Sequence, residues 1–343
     1  MTRRFAAVMS GSALLLALAA CNDSTSIETK TEDTSPALAQ GELGYLNQHI
    51  HVMPLKSQAQ EAHAAKPGGS GSGTGIFYHG GPVLNASRAT RVVAIYWSAS
   101  SPIYTGGPTP GNGTVGTASG DGSLVGYFLR NLGGSTYFNI NTTYTDGGGA
   151  VPNTVEYRGY FADQTNAPTG TQSITDAQMG AEIGRAIAAG YNNDGHTIYL
   201  IFTAGKVNLG GGFGSSYCAY HGHMSINGQD ALYAAMPYDY AYPSACTNGT
   251  AAPNGDPGAD AEVNTLAHEI EEAATDPNLN AWYDRRGYEN ADKCAWTWGT
   301  TYNNGTGVAN LKIGTKDFLI QRNWINLNSG GCYKGLGTSG PIS

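Results

Sequence analysis

Charge is scarce in this 343-residue chain, at 13% of its residues, and basic residues are the scarcer sign, 18 against 26 acidic. No basic patch stands out, so nucleic acid and anionic membrane surfaces are poor partners. Several catalytic signatures are missing as well. There is no GxSxG to support a serine hydrolase. There is no phosphate loop and no dinucleotide fingerprint after a strand. None of the five cysteines lies in a CxxC, which argues against a thiolate zinc site. No internal repeat is visible, and the longest apolar run, near the N-terminus, is too short for a comfortable membrane span.

That run belongs to MTRRFAAVMSGSALLLALAAC, in which Arg3 and Arg4 precede an apolar stretch and then small residues. The layout is that of an export signal over residues 1–20. Leu18, Ala19, Ala20 and Cys21 resemble a bacterial lipobox, which implies lipidation at Cys21. The chain is then expected outside the cell, lipid-anchored or secreted, touching a membrane only through that anchor. Loss of residues 1–20 leaves 16 basic against 26 acidic residues, a net of −10. The other four cysteines, Cys218, Cys246, Cys294 and Cys332, are even in number, which favours disulfides in an exported protein. Three connectivities are possible, and the shortest loops pair Cys218 with Cys246 and Cys294 with Cys332.

Residues 21–75 read as a lipidated end, a polar tether and a Gly/Ser linker, with some apolar content at 41–55 that could dock on a domain. The folded domain is expected to span 76–338, starting at Ile76. RVVAIYW (91–97) and TIYLIFTAG (197–205) are nearly continuous apolar runs, as in buried central strands. VEYRGYF, SYCAYHGHMSI, ALYAAMPY and FLIQRNWINL (318–327) also read as strands. Helices are expected over 123–132, over 174–191 with a Thr175/Gln178 capping box, and over 260–275 before Asp276-Pro277. The expected fold is α+β: one zincin-like domain with a twisted mixed sheet, packed helices and a loop-rich C-terminal part. The zincin expectation rests on coarse element order alone, a sheet followed by a helix that carries His-Glu.

That helix contains AHEIEEAATDP (267–277), one histidine and four carboxylates in a chain otherwise poor in charge. His268 and Glu272 are i and i+4, so they share a helix face and can bind one ion. Glu269 holds the position of the general base in HExxH metallopeptidases. Glu272 replaces the second histidine, which keeps Zn2+ possible and makes harder ions such as Ca2+ competitive. The third ligand is expected from WYDRRGYENADKC, as Glu289 or Asp292, with the other supporting it. His221 and His223, on one strand face, could line the cleft, bind metal or stabilise an oxyanion. The plainer alternative is a solvated acidic helix favoured by the helix dipole.

YHGGPVLNASRATRVVAIYW, TIYLIFTAG, the Cys218 strand, the 260–277 helix and the two late cysteines together resemble the EXORDIUM-like, phosphate-induced protein family. The resemblance covers about residues 76–335 and implies the same disulfide pairing. Plant members of that family are extracellular or cell-wall proteins linked to growth, without an established enzymatic activity, and lack the His-Glu pair. Microbial relatives are similar to this chain at HExxEAxTDP, WYD and ExxDxC, matching His268, Glu269, Glu272, Asp276, Asp284, Glu289, Asp292 and Cys294. The sequence thus points to an exported metal-dependent hydrolase, zinc-peptidase-like, acting on a peptide or cell-surface polymer. The alternative is a non-catalytic surface protein with a structural metal, binding carbohydrate or protein.

Overall fold

The computed structural model describes residues 50–59, 75–99, 101–249 and 252–343, all within one compact unit. The leader and Cys21 lie outside the described residues. A seven-stranded mixed sheet forms the centre. Its strands are β1 (Ile50–Pro54), β2 (Thr90–Trp97), β3 (Thr114–Gly116), β4 (Val155–Asp163), β5 (Thr197–Thr203), β6 (Tyr217–Ile226) and β7 (Gln229–Met236). In space the order is β1-β6-β7-β5-β2-β4-β3. The inner four, β7-β5-β2-β4, run parallel. β3 pairs antiparallel at one edge, and β6 and then β1 pair antiparallel at the other.

The long apolar runs become the parallel strands because they are covered on both faces. Alternate side chains of β2 and β5 serve opposite layers. Val92, Ala94, Tyr96, Ile198, Leu200 and Phe202 pack with helix α1 (Leu124–Leu132) and with a long helix, α3 (Pro257–Thr275). Val93, Ile95, Tyr199 and Ile201 pack on the other face with helix α2 (Asp176–Ala188). The caps are local. Ser123 Oγ accepts from Gly126 N at the start of α1, and Thr175 with Gln178 closes the capping box of α2. Asp256 caps α3 just before Pro257, and Pro277 follows its end.

The folded unit begins upstream of the expected boundary at Ile76. β1 is part of the sheet, and Trp296 Nε1 donates to Pro54 O at 2.9 Å to hold its end. The 318–327 segment is not one strand, as expected from its apolar content. Only Lys316–Phe318 and Asn323–Ile325 are strands. Between them side chains replace the ladder: Ile320 N donates to Asn310 Oδ1, and Gln321 N donates to Asn264 Oδ1 on α3. Both disulfides form as expected, Cys218–Cys246 and Cys294–Cys332.

Candidate metal centre

Helix α3 is buried from Gly258 to Thr275, although it carries Asp260, Glu262, Glu269, Glu271 and Glu272. A solvated acidic face is therefore ruled out, because none of these carboxylates meets water. Buried carboxylates need partners. Asp260 takes hydrogen bonds from Asn254 N at 3.0 Å and Asn254 Nδ2 at 2.7 Å. Glu271 accepts from Asn323 Nδ2 at 2.9 Å. Glu262 accepts from Asp239 N at 3.3 Å. Glu269 and Glu272 face a different set of groups.

They face three imidazoles and two more carboxylates. His221 projects from β6, His51 from β1, and Glu289 and Asp292 come from the loop that Cys294 ties down. His268 Nε2 lies 3.1 Å from Glu272 Oε1 and 3.4 Å from Asp292 Oδ1. His221 Nδ1 lies 3.2 Å from Glu269 Oε2, and its Nε2 lies 3.7 Å from Glu289 Oε1. His51 Nε2 sits 2.6 Å from Asp292 Oδ2, and its Nδ1 lies 3.4 Å from Glu289 Oε1. His221, His268, Glu269 and Glu272 are fully buried, and Glu289 and Asp292 almost so.

Several atoms of this cluster make no hydrogen bond among the described residues: His221 Nε2, His268 Nε2, Glu269 Oε1, Glu272 Oε2, Glu289 Oε2 and Asp292 Oδ1. Their spacing has a simple explanation. A tetrahedral ion with bonds of about 2.0–2.1 Å sets its donor atoms about 3.3 Å apart. The 3.1 and 3.4 Å separations around His268 Nε2 match that edge. Charge-assisted hydrogen bonds are shorter, about 2.7–2.9 Å.

The electrostatics describe the cluster without an ion. Burial works against charge on His51, but Asp292 and Glu272 outweigh it and raise the imidazole to about 9. Burial likewise opposes charge on His268, and Glu272 and Asp292 again overcome it, so its pKa rises. Burial pushes Glu269 and Glu289 up, with neighbouring carboxylates adding to the effect. Burial also disfavours the charge of Asp292, yet His51 and His268 hold it well below the usual carboxylate range. His221 is pushed down by burial and by the charge of the other two histidines. Metal ligation requires these groups deprotonated, so an ion bound here would displace the protons that His268 and Glu289 favour without it.

The sequence-derived residues His268, Glu269, Glu272, Glu289, Asp292 and His221 thus come together. His223 does not join them; its Nδ1 lies 2.9 Å from Asp230 Oδ1, towards the far end of β6. Asp284 binds Lys293 Nζ at 3.0 Å and also pairs with Arg286. Asp276 accepts from Asn280 N and Ala281 N, a helix-end turn. Two residues were not singled out by the sequence. His51 entered through β1, its one signal being the His-Ile-His-Val alternation of 49–52. Gln321 Nε2 lies 3.0 Å from His268 Nδ1 and donates to Ala291 O at 2.9 Å, joining the helix to the acidic loop. It carries no sequence signal.

No curated protein and no solved structure matches the chain. The family model described as the phosphate-induced protein 1 conserved region matches residues 133–312. That span holds His221, His268, Glu269, Glu272, Glu289 and Asp292, and excludes His51 and Gln321. It covers just over half of the sequence, and the chain belongs to the phosphate-induced protein 1, or EXORDIUM-like, family.

Proposed function

We propose that this protein is an exported metal-dependent hydrolase, secreted or lipid-anchored through Cys21, with a zinc-peptidase-like centre and a zincin-like relation between sheet and helix. The observation that carries the proposal is the convergence of His268 Nε2, Glu272 Oε1 and Asp292 Oδ1 in a buried space. Of the two candidates for third ligand, Asp292 fits the His268–Glu272 pair, and Glu289 faces His51 and His221. A bound zinc would supply Lewis acidity and lower the pKa of water in contact with it. Glu269 would take the proton from that water. His221 Nδ1, 3.2 Å from Glu269 Oε2, would orient the base. With its amide turned so that Oε1 rather than Nε2 meets His268 Nδ1, Gln321 would accept from Nδ1–H and leave Nε2 of that ring free for the ion. The substrate would be a peptide or a cell-surface polymer.

One feature favours a second proposal, a closed structural ion (Zn2+ or Ca2+) in a non-catalytic surface protein that binds carbohydrate or protein. Of the histidines and carboxylates lining the centre, only His51 is more than marginally exposed, with 11% of its side chain accessible. A catalytic site keeps an open position, and a structural one is sealed. A peptide-library cleavage assay separates the two. The hydrolase proposal expects cleavage that chelator abolishes and that Glu269→Gln lowers at least a hundredfold while zinc stays bound. Full activity in Glu269→Gln would remove Glu269 as the base. Bound metal with no cleavage of any substrate would favour the structural ion.

A further inference from the structure

The cluster around Glu272 contains more donor atoms than one tetrahedral ion uses, and the surplus falls into a second group. Each of two histidines has one nitrogen tied to a carboxylate and the other turned to the same oxygen. His51 Nε2 is bound to Asp292 Oδ2 at 2.6 Å, which leaves Nδ1 at 3.4 Å from Glu289 Oε1. His221 Nδ1 is tied to Glu269 Oε2 at 3.2 Å, which leaves Nε2 at 3.7 Å from that same Glu289 oxygen. A histidine with one nitrogen held by a carboxylate and the other left bare is the usual preparation for metal ligation. His51 and His221 are direct partners across the antiparallel β1–β6 pair, so the sheet register itself sets the two rings side by side.

We propose that His51, His221 and Glu289 hold a second divalent cation of zinc type, next to the ion at His268, and that Glu272 bridges the two positions. Glu272 Oε1 faces His268 and takes a hydrogen bond from Asp292 N at 3.0 Å. Its Oε2 has no hydrogen bond and turns to the other side, where it lies 3.6 Å from His221 Nδ1 and 3.9 Å from His51 Nε2, the nitrogens held by Glu269 and Asp292. His51, Glu272 and Glu289 offer ligand atoms that all lie within 4.8 Å of one another. His221 Nε2 and Glu289 Oε2 are likewise without hydrogen bonds and deeply buried. Two ions about 3.5–4 Å apart, joined by a carboxylate, form a recurrent hydrolytic arrangement.

This proposal rests on the ion at His268, and one experiment separates the two. The whole chain is dialysed against Zn2+ and the retained zinc is counted by mass spectrometry, with folding followed by circular dichroism. Two zinc ions per chain are expected in the wild type and one in His51→Ala. Glu289→Gln, which keeps shape and β1 packing, is also expected to retain one. Glu272→Ala should weaken both positions at least tenfold, as a shared ligand must. One zinc in the wild type would overturn the second position and leave the first intact, while none would remove both. Two zinc ions retained by both His51→Ala and Glu289→Gln would also overturn the assignment.

Discussion

His51 on β1 stands opposite His221 on β6, with ring centroids 5.7 Å apart, and both rings face Glu289. An edge strand therefore carries part of the centre, although His268 lies 217 positions after His51 in the chain and the acidic loop further still. Metal should tie this strand down. Hydrogen exchange at Val52 and Met53 is expected to slow when Zn2+ is added, together with exchange at 289–294. Unchanged exchange in β1 with metal bound would place the ion elsewhere.

Gln321 tests the support of His268. Its amide nitrogen lies within reach of both His268 Nδ1 and Ala291 O. Gln321→Ala should lower zinc affinity about 10–100-fold, the usual cost of losing such a support. The secondary structure should be unchanged. Affinity equal to wild type in a competition titration would show that the ring needs no support.

The Cys294–Cys332 disulfide links the loop that carries Glu289 and Asp292 to the strand Gly331–Tyr333. Replacing both cysteines by serine should cost about 2–4 kcal/mol of stability. Zinc affinity should fall as well, because two ligands lose their anchor. Stability measured by urea unfolding, with affinity unchanged, would limit the bridge to a structural role.

Glu262 gives a pH signature away from the ligands. Burial raises its carboxyl to about 8, beside the buried Asp239. Its folded pKa exceeds its unfolded value, so the folded state holds the proton more tightly. That contribution to stability is full below the unfolded pKa near 4.5 and is lost as pH rises towards 8. Glu262→Gln cannot lose a proton. The variant should therefore show a smaller fall in urea midpoint between pH 5 and pH 8 than the wild type. Parallel falls in both proteins would mean that Glu262 does not titrate in this window.

Much of the fold was legible because burial leaves a local mark. The apolar runs at 91–97 and 197–203 could only be inner strands, and the Thr175/Gln178 box announced α2. The family and the disulfide pairing followed from spaced motifs. The full burial of α3 was not legible, because Glu262, Glu269, Glu271 and Glu272 look solvated until their partners from distant segments are known. His51 escaped for a related reason. Its partner is chosen by strand register, and register across more than 160 residues has no local signal. FLIQRNWINL misled through composition: its polar residues are the means by which the segment binds α3, Gln321 at His268 outside any strand and Asn323 at Glu271 from the start of a short one.

The most direct measurement is the zinc retained after dialysis by the whole chain, wild type beside the His268→Ala, Glu272→Ala double variant. The account predicts tightly held zinc in the wild type and its loss in the double variant, with both proteins folded. A wild type that retains no divalent metal after reconstitution would contradict it. Glu269 and Glu272 would then be held by protons, the neighbouring histidines and the Asp292 amide.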